Sequence, residues 1–288
     1  AGLKAAIEKI ITDNFGTDCY DANYEITKRD GRIYFGEVEL CVSPEVRSKF
    51  IRALPLCETI TVKILLKKLA KTVLFKENVL LVGLTGGGKT NLPRYLSDLL
   101  NCNYTALDLD GQTDTAQLIG QWIPDFAGGY EWHYGDLVNA LDKDWWILLD
   151  EINLTDPEII ERINSILDDD AFLVISENEG KTFRRKEKFR LFTAMNPVHY
   201  SGRKRLSIAM ANKFHQIWVP QDLGCEEEVD IINHYFETQQ RLFKEKKQTK
   251  VSLKTESIIE NLAEQKDLVL VSLAVIVLAG LIYGIFNI

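Results

Sequence analysis

The groups in this chain best suited to chemistry are a glycine run ending in lysine and threonine, and a pair of adjacent carboxylates further along. Gly83-Leu84-Thr85-Gly86-Gly87-Gly88-Lys89-Thr90 fits the pattern G-x-x-x-x-G-K-[ST]. Glycines there let backbone N–H groups turn toward a phosphate without a Cβ in the way, and a following helix adds the positive end of its dipole. Lys89 is spaced to reach the β- and γ-phosphates of ATP, and the Thr90 hydroxyl to hold Mg²⁺. Asp150-Glu151 closes an apolar run. Asp150 suits Mg²⁺, largely through water, and Glu151 suits orienting and deprotonating an attacking water. Asn196, before Pro197, offers an amide that can hold or polarise that water. Taken singly, each has a plainer reading: a glycine turn, an acidic helix cap, an Asn-Pro turn opener. Together they describe phosphoryl transfer from ATP to water, with Glu151, Asn196 and Lys89 as catalytic groups.

These residues need a particular scaffold. Val79 to Val82 reads as a buried strand running into the glycine loop, and Asn91 to Leu100 as the helix after it. Further strands are expected at Tyr104–Leu109, Trp145–Leu149, Phe189–Ala194 and Gln216–Val219. Near-continuous apolar strands separated by helices indicate an α/β fold with a parallel sheet covered on both faces. The Phe189–Ala194 strand should lie between the other two that carry chemistry. Thr61–Leu74 has Val62, Leu65, Leu66, Leu69 and Val73 at helical spacing, with its lysines mostly off that stripe. Ala1 to Asn14 reads as a helix, and Ile33 to Leu40 as a strand or hairpin after the turn Asp30-Gly31. Asp156-Pro157 should open a helix with Ile159, Ile160, Ile163, Ile166 and Leu167 on one face, Asp156 as its N-cap. Ala171–Ile175 and Lys181–Arg185 should form a hairpin, and Cys225–Lys246 a polar helix.

The net charge of −8 argues against a general or sequence-specific nucleic-acid binder. Two basic stretches, Lys181 to Arg190 and Arg203-Lys204-Arg205, read as solvated faces. The five cysteines are scattered with no C-x-x-C pair, so neither a zinc site nor a disulfide framework is expected, and reduced thiols of cytoplasmic type are the default. Residues 268–286 form an uncharged apolar run with the length of a membrane-crossing helix, which would tether a cytoplasmic nucleotide domain. A buried helix or strand has the same composition.

The motifs Gly83–Thr90, Gln112-Thr113-Asp114, Trp146 to Leu154, Phe192 to Pro197 and Gly202 to Ser207 together resemble the AAA+ ATPases of the MoxR and dynein-related branch, with midasin-type modules the nearest likeness. The resemblance covers roughly residues 30–222. It implies a P-loop NTPase three-layer sandwich with a central five-stranded parallel sheet and a small helical lid. It also implies that the module works in a homo-oligomeric ring or beside other AAA+ modules, each site completed by a neighbour. Gly83 to Thr90 and Asp150 are then the nucleotide-binding residues, with Thr90 and Asp150 on the metal. The hairpin near Ser176–Arg185 and the stretch Gly120–Gly135 resemble the branch's two insertions, which contact substrate or partners. The expected organisation is an entry region at 1–60, the nucleotide-binding core at 61–222, a lid at 223–267 and the apolar tail at 268–288.

The chain departs from that pattern in three places. Where the family ends a motif in Arg-Phe, offering the arginine to a neighbour's γ-phosphate, this chain has Lys213-Phe214. Lysine keeps the charge but loses the planar fork, so Arg203 and Arg205 join Lys213 as candidates for that trans-acting finger. No arginine of the second-sensor type stands in the lid region. The lid also gives way to the apolar tail; an incomplete lid, a spliced reading frame or a true anchor each produce that pattern. The function expected is an ATP-hydrolysing module that remodels a protein or ribonucleoprotein assembly. A nucleotide-gated scaffold with little turnover is the alternative, and a small-molecule kinase fits the downstream motifs poorly.

Overall fold

The computed structural model describes residues 24–44, 56–126, 128–168, 171–197, 202–220 and 223–241. The described chain divides into one compact unit through Glu228 and a second beginning at Val229. The expected helix at residues 1–14 and the apolar run at residues 268–286 lie outside the described residues. Among the described residues no helix is long and apolar enough to cross a membrane.

The first unit is built on a five-stranded parallel sheet of β4 (Val79–Val82), β5 (Tyr104–Asp108), β8 (Trp146–Asp150), β11 (Arg190–Met195) and β12 (His215–Trp218), in the order β12-β4-β11-β8-β5. Every residue of β4 and β8 is buried, as central strands with both faces covered require. Alternation sorts the side chains into two cores. Leu80, Val82, Ile147, Leu149 and Leu191 face one layer, while Val79, Leu81, Leu148, Phe192 and Ala194 face the other. The strand expected at residues 189–194 does lie between β4 and β8.

The second layer contains α1 (Ile60–Leu74) and α2 (Asn91–Leu99). Thr59 caps α1 by accepting from the Val62 N–H at 3.3 Å, and Leu65, Leu66, Leu69, Ala70 and Val73 form its buried stripe. Against α1 packs an antiparallel sheet of β1 (Ile26–Arg29), β2 (Arg32–Phe35) and β3 (Val38–Cys41). The anticipated hairpin is therefore β2–β3, and β1 is an extra strand joined through Asp30-Gly31, both with positive φ. Glu37 in the β2–β3 turn ties this sheet to α1 through Lys67 at 2.6 Å and Lys71 at 3.0 Å.

The first layer holds α3 (Thr115–Leu118), the hairpin of β6 (Gly120–Pro124) and β7 (Tyr130–Tyr134), α4 (Asp136–Lys143), α5 (Pro157–Glu161) and the hairpin of β9 (Phe172–Ile175) and β10 (Lys181–Arg184). The continuous helix expected after Pro157 is instead broken: α5 ends at Glu161 and a 3₁₀ turn runs Asn164–Leu167. Ile160, Ile163 and Ile166, all buried, are spaced by three, which matches three residues per turn better than 3.6. Asp156 has N-cap backbone geometry, but its carboxylate pairs with Lys204 and makes no cap hydrogen bond. A short helix α6 (Ile208–Ala211), capped by Ser207, leads into β12. Residues 225–241 are helical, and Glu227 accepts from the Thr61 N–H at 2.8 Å and hydroxyl at 2.7 Å.

Candidate functional site

Parallel register brings the strand ends level. Val82 pairs with Met195, and Asp108 with Asp150, so the residues just after them meet at one edge of the sheet. Gly83 leaves β4 where the chain passes the end of β12. A Cβ at Gly83 would lie 2.9 Å from the Val219 carbonyl oxygen, so only glycine fits this approach. Gly86 and Gly88 hold φ of +85° and +82°, and a Cβ on either would meet nothing within 4 Å. The loop is thus bare on the side where a phosphate would lie, and α2 starts directly after it. Thr90 does not cap α2 with its side chain. Its hydroxyl donates to Asp150 Oδ2 instead.

Lys89 is buried and spends all three ammonium donors inside the site: on Gly83 O at 2.9 Å, Leu84 O at 2.7 Å and Asn196 Oδ1 at 2.7 Å. Burial pulls its pKa below the ordinary lysine value, the Glu151 and Asp150 carboxylates oppose this, and Arg203 adds to the lowering. The Asn196 amide nitrogen donates to Thr85 Oγ1 and to Glu151 Oε1, both at 2.9 Å. One asparagine, 1% exposed, therefore links the phosphate-loop lysine to the candidate base. Glu151 sits at φ +54°, a left-handed conformation unusual for a glutamate, with its N–H held by Asp150 Oδ1 at 2.9 Å.

Sequence reasoning named Arg203 only as a trans-acting candidate and gave Asn153 no role; both join this constellation within the chain. Arg203 donates to Glu151 Oε2 and, at 3.1 Å, to Asn153 Oδ1. Asn153 in turn donates to Asn196 O at 2.8 Å. Arg203 is not on a solvated face: its side chain is 11% exposed, held by the Glu151 carboxylate of its own chain. The polar Asn153 in the otherwise apolar Ile152-Asn153-Leu154 was the available signal for this link. Lys89 and Arg203 balance Asp150 and Glu151, so the site's charges cancel internally.

Gly83 to Thr90, Asp150, Glu151 and Asn196 are thus brought together, with Arg203 joined to them. Lys213 is elsewhere, near the amino edge of the sheet, paired with Asp168 and bonded to Asn164 O at 3.3 Å. Arg205 is exposed. The donors suit Mg²⁺: a hydroxyl and a carboxylate oxygen converge, both hard ligands, with phosphate oxygens and water able to complete an octahedron. A bound triphosphate would draw Lys89 from neutral carbonyls onto charged oxygens, a stronger hydrogen bond. Glu151 is held at both oxygens, by Asn196 and by Arg203.

Residues 78–214 match the family model described as AAA domain (dynein-related subfamily). The chain is 34% identical over 169 residues to midasin of Dictyostelium discoideum, covering 57% of this chain and 3% of that protein. It is 33% identical over 156 residues to midasin of Giardia intestinalis, again 3% of that protein. It is 30% identical to the uncharacterized protein YojN of Bacillus subtilis (strain 168) over 51% of this chain and 49% of that one. The chain thus spans a small part of the midasins and about half of YojN. Among solved structures, a proposed ATPase from Cytophaga hutchinsonii ATCC 33406 shares the fold with a TM-score of 0.50 and 20% identity, over 63% of this chain and 51% of that one.

Proposed function

This chain belongs to the dynein-related AAA family through residues 78–214, and we propose that it binds ATP with Mg²⁺ and hydrolyses it to drive remodelling of a protein or ribonucleoprotein assembly. The observation that carries the reading is the continuous link Lys89–Asn196–Glu151 beside Thr90–Asp150 at the carboxyl edge of one sheet. In this reading the Gly83–Thr90 backbone and Lys89 grip the triphosphate, and Thr90 and Asp150 hold Mg²⁺, which when bound neutralises charge on the transferring phosphate. Asn196 fixes the Glu151 carboxylate, and Glu151 orients a water in line with the γ-phosphate and accepts its proton as it attacks. Residues 61–222 act as the nucleotide-binding core and 223–267 as a lid. The module works in the cytoplasm beside like modules, in a ring or a longer chain, and has no sequence-specific contact with nucleic acid.

Glu151→Gln tests the assignment. Turnover should fall by about 10²- to 10⁴-fold, the usual worth of a general base, while ATP binding measured by calorimetry stays within a few-fold. Undiminished turnover in that variant would remove Glu151 from the mechanism. The scaffold reading is favoured by one observation: Lys213, where the family presents an arginine to its neighbour, is engaged by Asp168 of its own chain. Tight ATP binding with negligible turnover at high protein concentration would select it.

A further inference from the structure

The opposite edge of the same sheet carries a second group of charges. A cleft of 760 Å³ opens there between the turn before β4, the segment after β10 and the entry to β12. Each of the three carboxylates lining it already faces a basic side chain: Glu187 faces Lys76, Asp168 faces Lys213, and Glu77 faces the His215 ring at 3.1 Å. Two arginines of the cleft, Arg185 and Arg190, make no direct ion pair with a carboxylate among the described residues. Neutral acceptors hold them. Arg185 donates to Asn78 Oδ1 and Lys76 O, both at 2.9 Å. Arg190 donates to Val73 O at 3.2 Å and to Glu187 O and Phe189 O at 2.8 Å.

Such bonds fix a guanidinium in place and leave its charge standing. Burial pushes Arg185 down to about 10, with Arg190 adding like-charge repulsion. Burial also lowers Arg190, against the attraction of Glu187. Arginine keeps its proton at neutral pH. The cleft therefore stores two partly desolvated positive charges in a chain whose net charge is −8. Lys186 stands exposed at the rim, its ammonium resting on Asp142 O with the Asp142 carboxylate 3.6 Å away, a solvent-exposed pair that an entering phosphate can exchange. Forked N–H donors beside one another match the oxygens of a phosphate.

We propose that this cleft binds a phosphate group carried by another molecule, with Arg185 and Arg190 supplying the charge and Lys186 guiding entry. The chain's own nucleotide is excluded: Gly83 and Asn78 flank β4 at opposite ends, and a strand of that length spans about 13 Å. The phosphate then comes either from nucleotide bound by a second copy of this chain or from a free polyphosphate. Only the first source rests on the ATP-binding reading.

Inorganic tripolyphosphate titrated into the Lys89→Ala protein by calorimetry tests the cleft without relying on the glycine loop. Binding should weaken at least tenfold when Arg185→Gln is added and several-fold when Lys186→Glu is added instead. Lys186 is exposed, so its reversal keeps the test decisive if the arginine variant fails to fold. Absence of binding, or affinities unchanged by both substitutions, overturns the proposal. Mixing then identifies the source. Lys89→Ala lacks a working loop and Arg185→Gln lacks the cleft. ATP turnover recovered on mixing the two assigns the phosphate to a second copy's nucleotide. Full turnover by Arg185→Gln alone, or no recovery in a mixture whose Lys89→Ala member binds tripolyphosphate, overturns that source and leaves the free one. A wild-type chain that fails to bind ATP would sink the hydrolysis reading, and the tripolyphosphate arm would still decide the cleft.

Discussion

The two edges of the central sheet solve the same electrostatic problem in opposite ways. At the carboxyl edge, Lys89 and Arg203 are matched by Asp150 and Glu151, and the hydrogen bonds of Lys89, Asn196, Glu151 and Asn153 close on one another. At the amino edge, Arg185 and Arg190 lean on backbone carbonyls and one amide, with every cleft carboxylate already engaged elsewhere. The first edge is a self-satisfied network that a ligand has to open. The second is a standing charge that an anion would complete. Removing a residue from the first should therefore damage chemistry within its own copy, and removing one from the second should damage what the copy offers to others.

Asn196→Ala gives the largest effect that separates the two edges. It deletes the contact to Lys89 and the contact to Glu151 together. Hydrogen bonds to charged groups are worth about 1.5–3 kcal/mol, so turnover should fall about 10- to 100-fold, with the Kd for ATP changed far less. Steady-state turnover beside equilibrium binding checks this. A loss confined to binding would show that Asn196 supports the loop and leaves Glu151 untouched.

Arg203→Ala should cost about tenfold in kcat at unchanged KM, since one charge-assisted bond to Glu151 is lost. Arg203→Lys should recover part of it. The defect should persist when Arg203→Ala is mixed with Lys89→Ala, in contrast to Arg185→Gln. Recovery in that mixture would move Arg203 across the comparison, from a residue positioning its own chain's base to one offered to a neighbour.

Much of the carboxyl edge was legible because its spacing is local. A strand must precede the glycine loop, and an apolar run must end at Asp150-Glu151, so the positions follow once the strands are recognised. The order of the strands, with the Asn196 strand between the other two, is not set by local spacing; it accords with the resemblance to AAA+ ATPases. What could not be read was pairing between distant segments. The Glu151–Arg203 pair joins positions with no periodic relation, and the left-handed backbone at Glu151 has no signal in its residue type. The basic stretch Lys181–Arg190 reads as a solvated face because its composition is that of one. In the fold, β10 ends at Arg184, the Arg185 N–H bonds to Ala171 O at 2.8 Å, and the Arg185 side chain turns under the sheet edge. Burial of a charge is decided there by a turn that composition does not encode.

Two buried asparagines give the smallest contrast. Asn153, 1% exposed, braces the carboxyl edge, and Asn78, 7% exposed, braces the amino edge by accepting from Arg185 and donating to Leu167 O at 3.2 Å. Truncating either to alanine leaves buried polar partners unmatched, a cost of about 1–3 kcal/mol, so urea unfolding should show comparable losses of stability for both. Function should divide them. Asn153→Ala frees Arg203 on one side and the Asn196 carbonyl on the other, so turnover should fall along with stability. Asn78→Ala touches neither Glu151 nor Lys89. Its turnover under conditions where it is fully folded should match wild type for a copy acting alone, while tripolyphosphate binding weakens because Arg185 has lost the amide that fixes its fork. Equal losses of single-copy turnover in both variants would mean that the two edges communicate through the four residues of β4, and that the sheet transmits occupancy of one edge to the other.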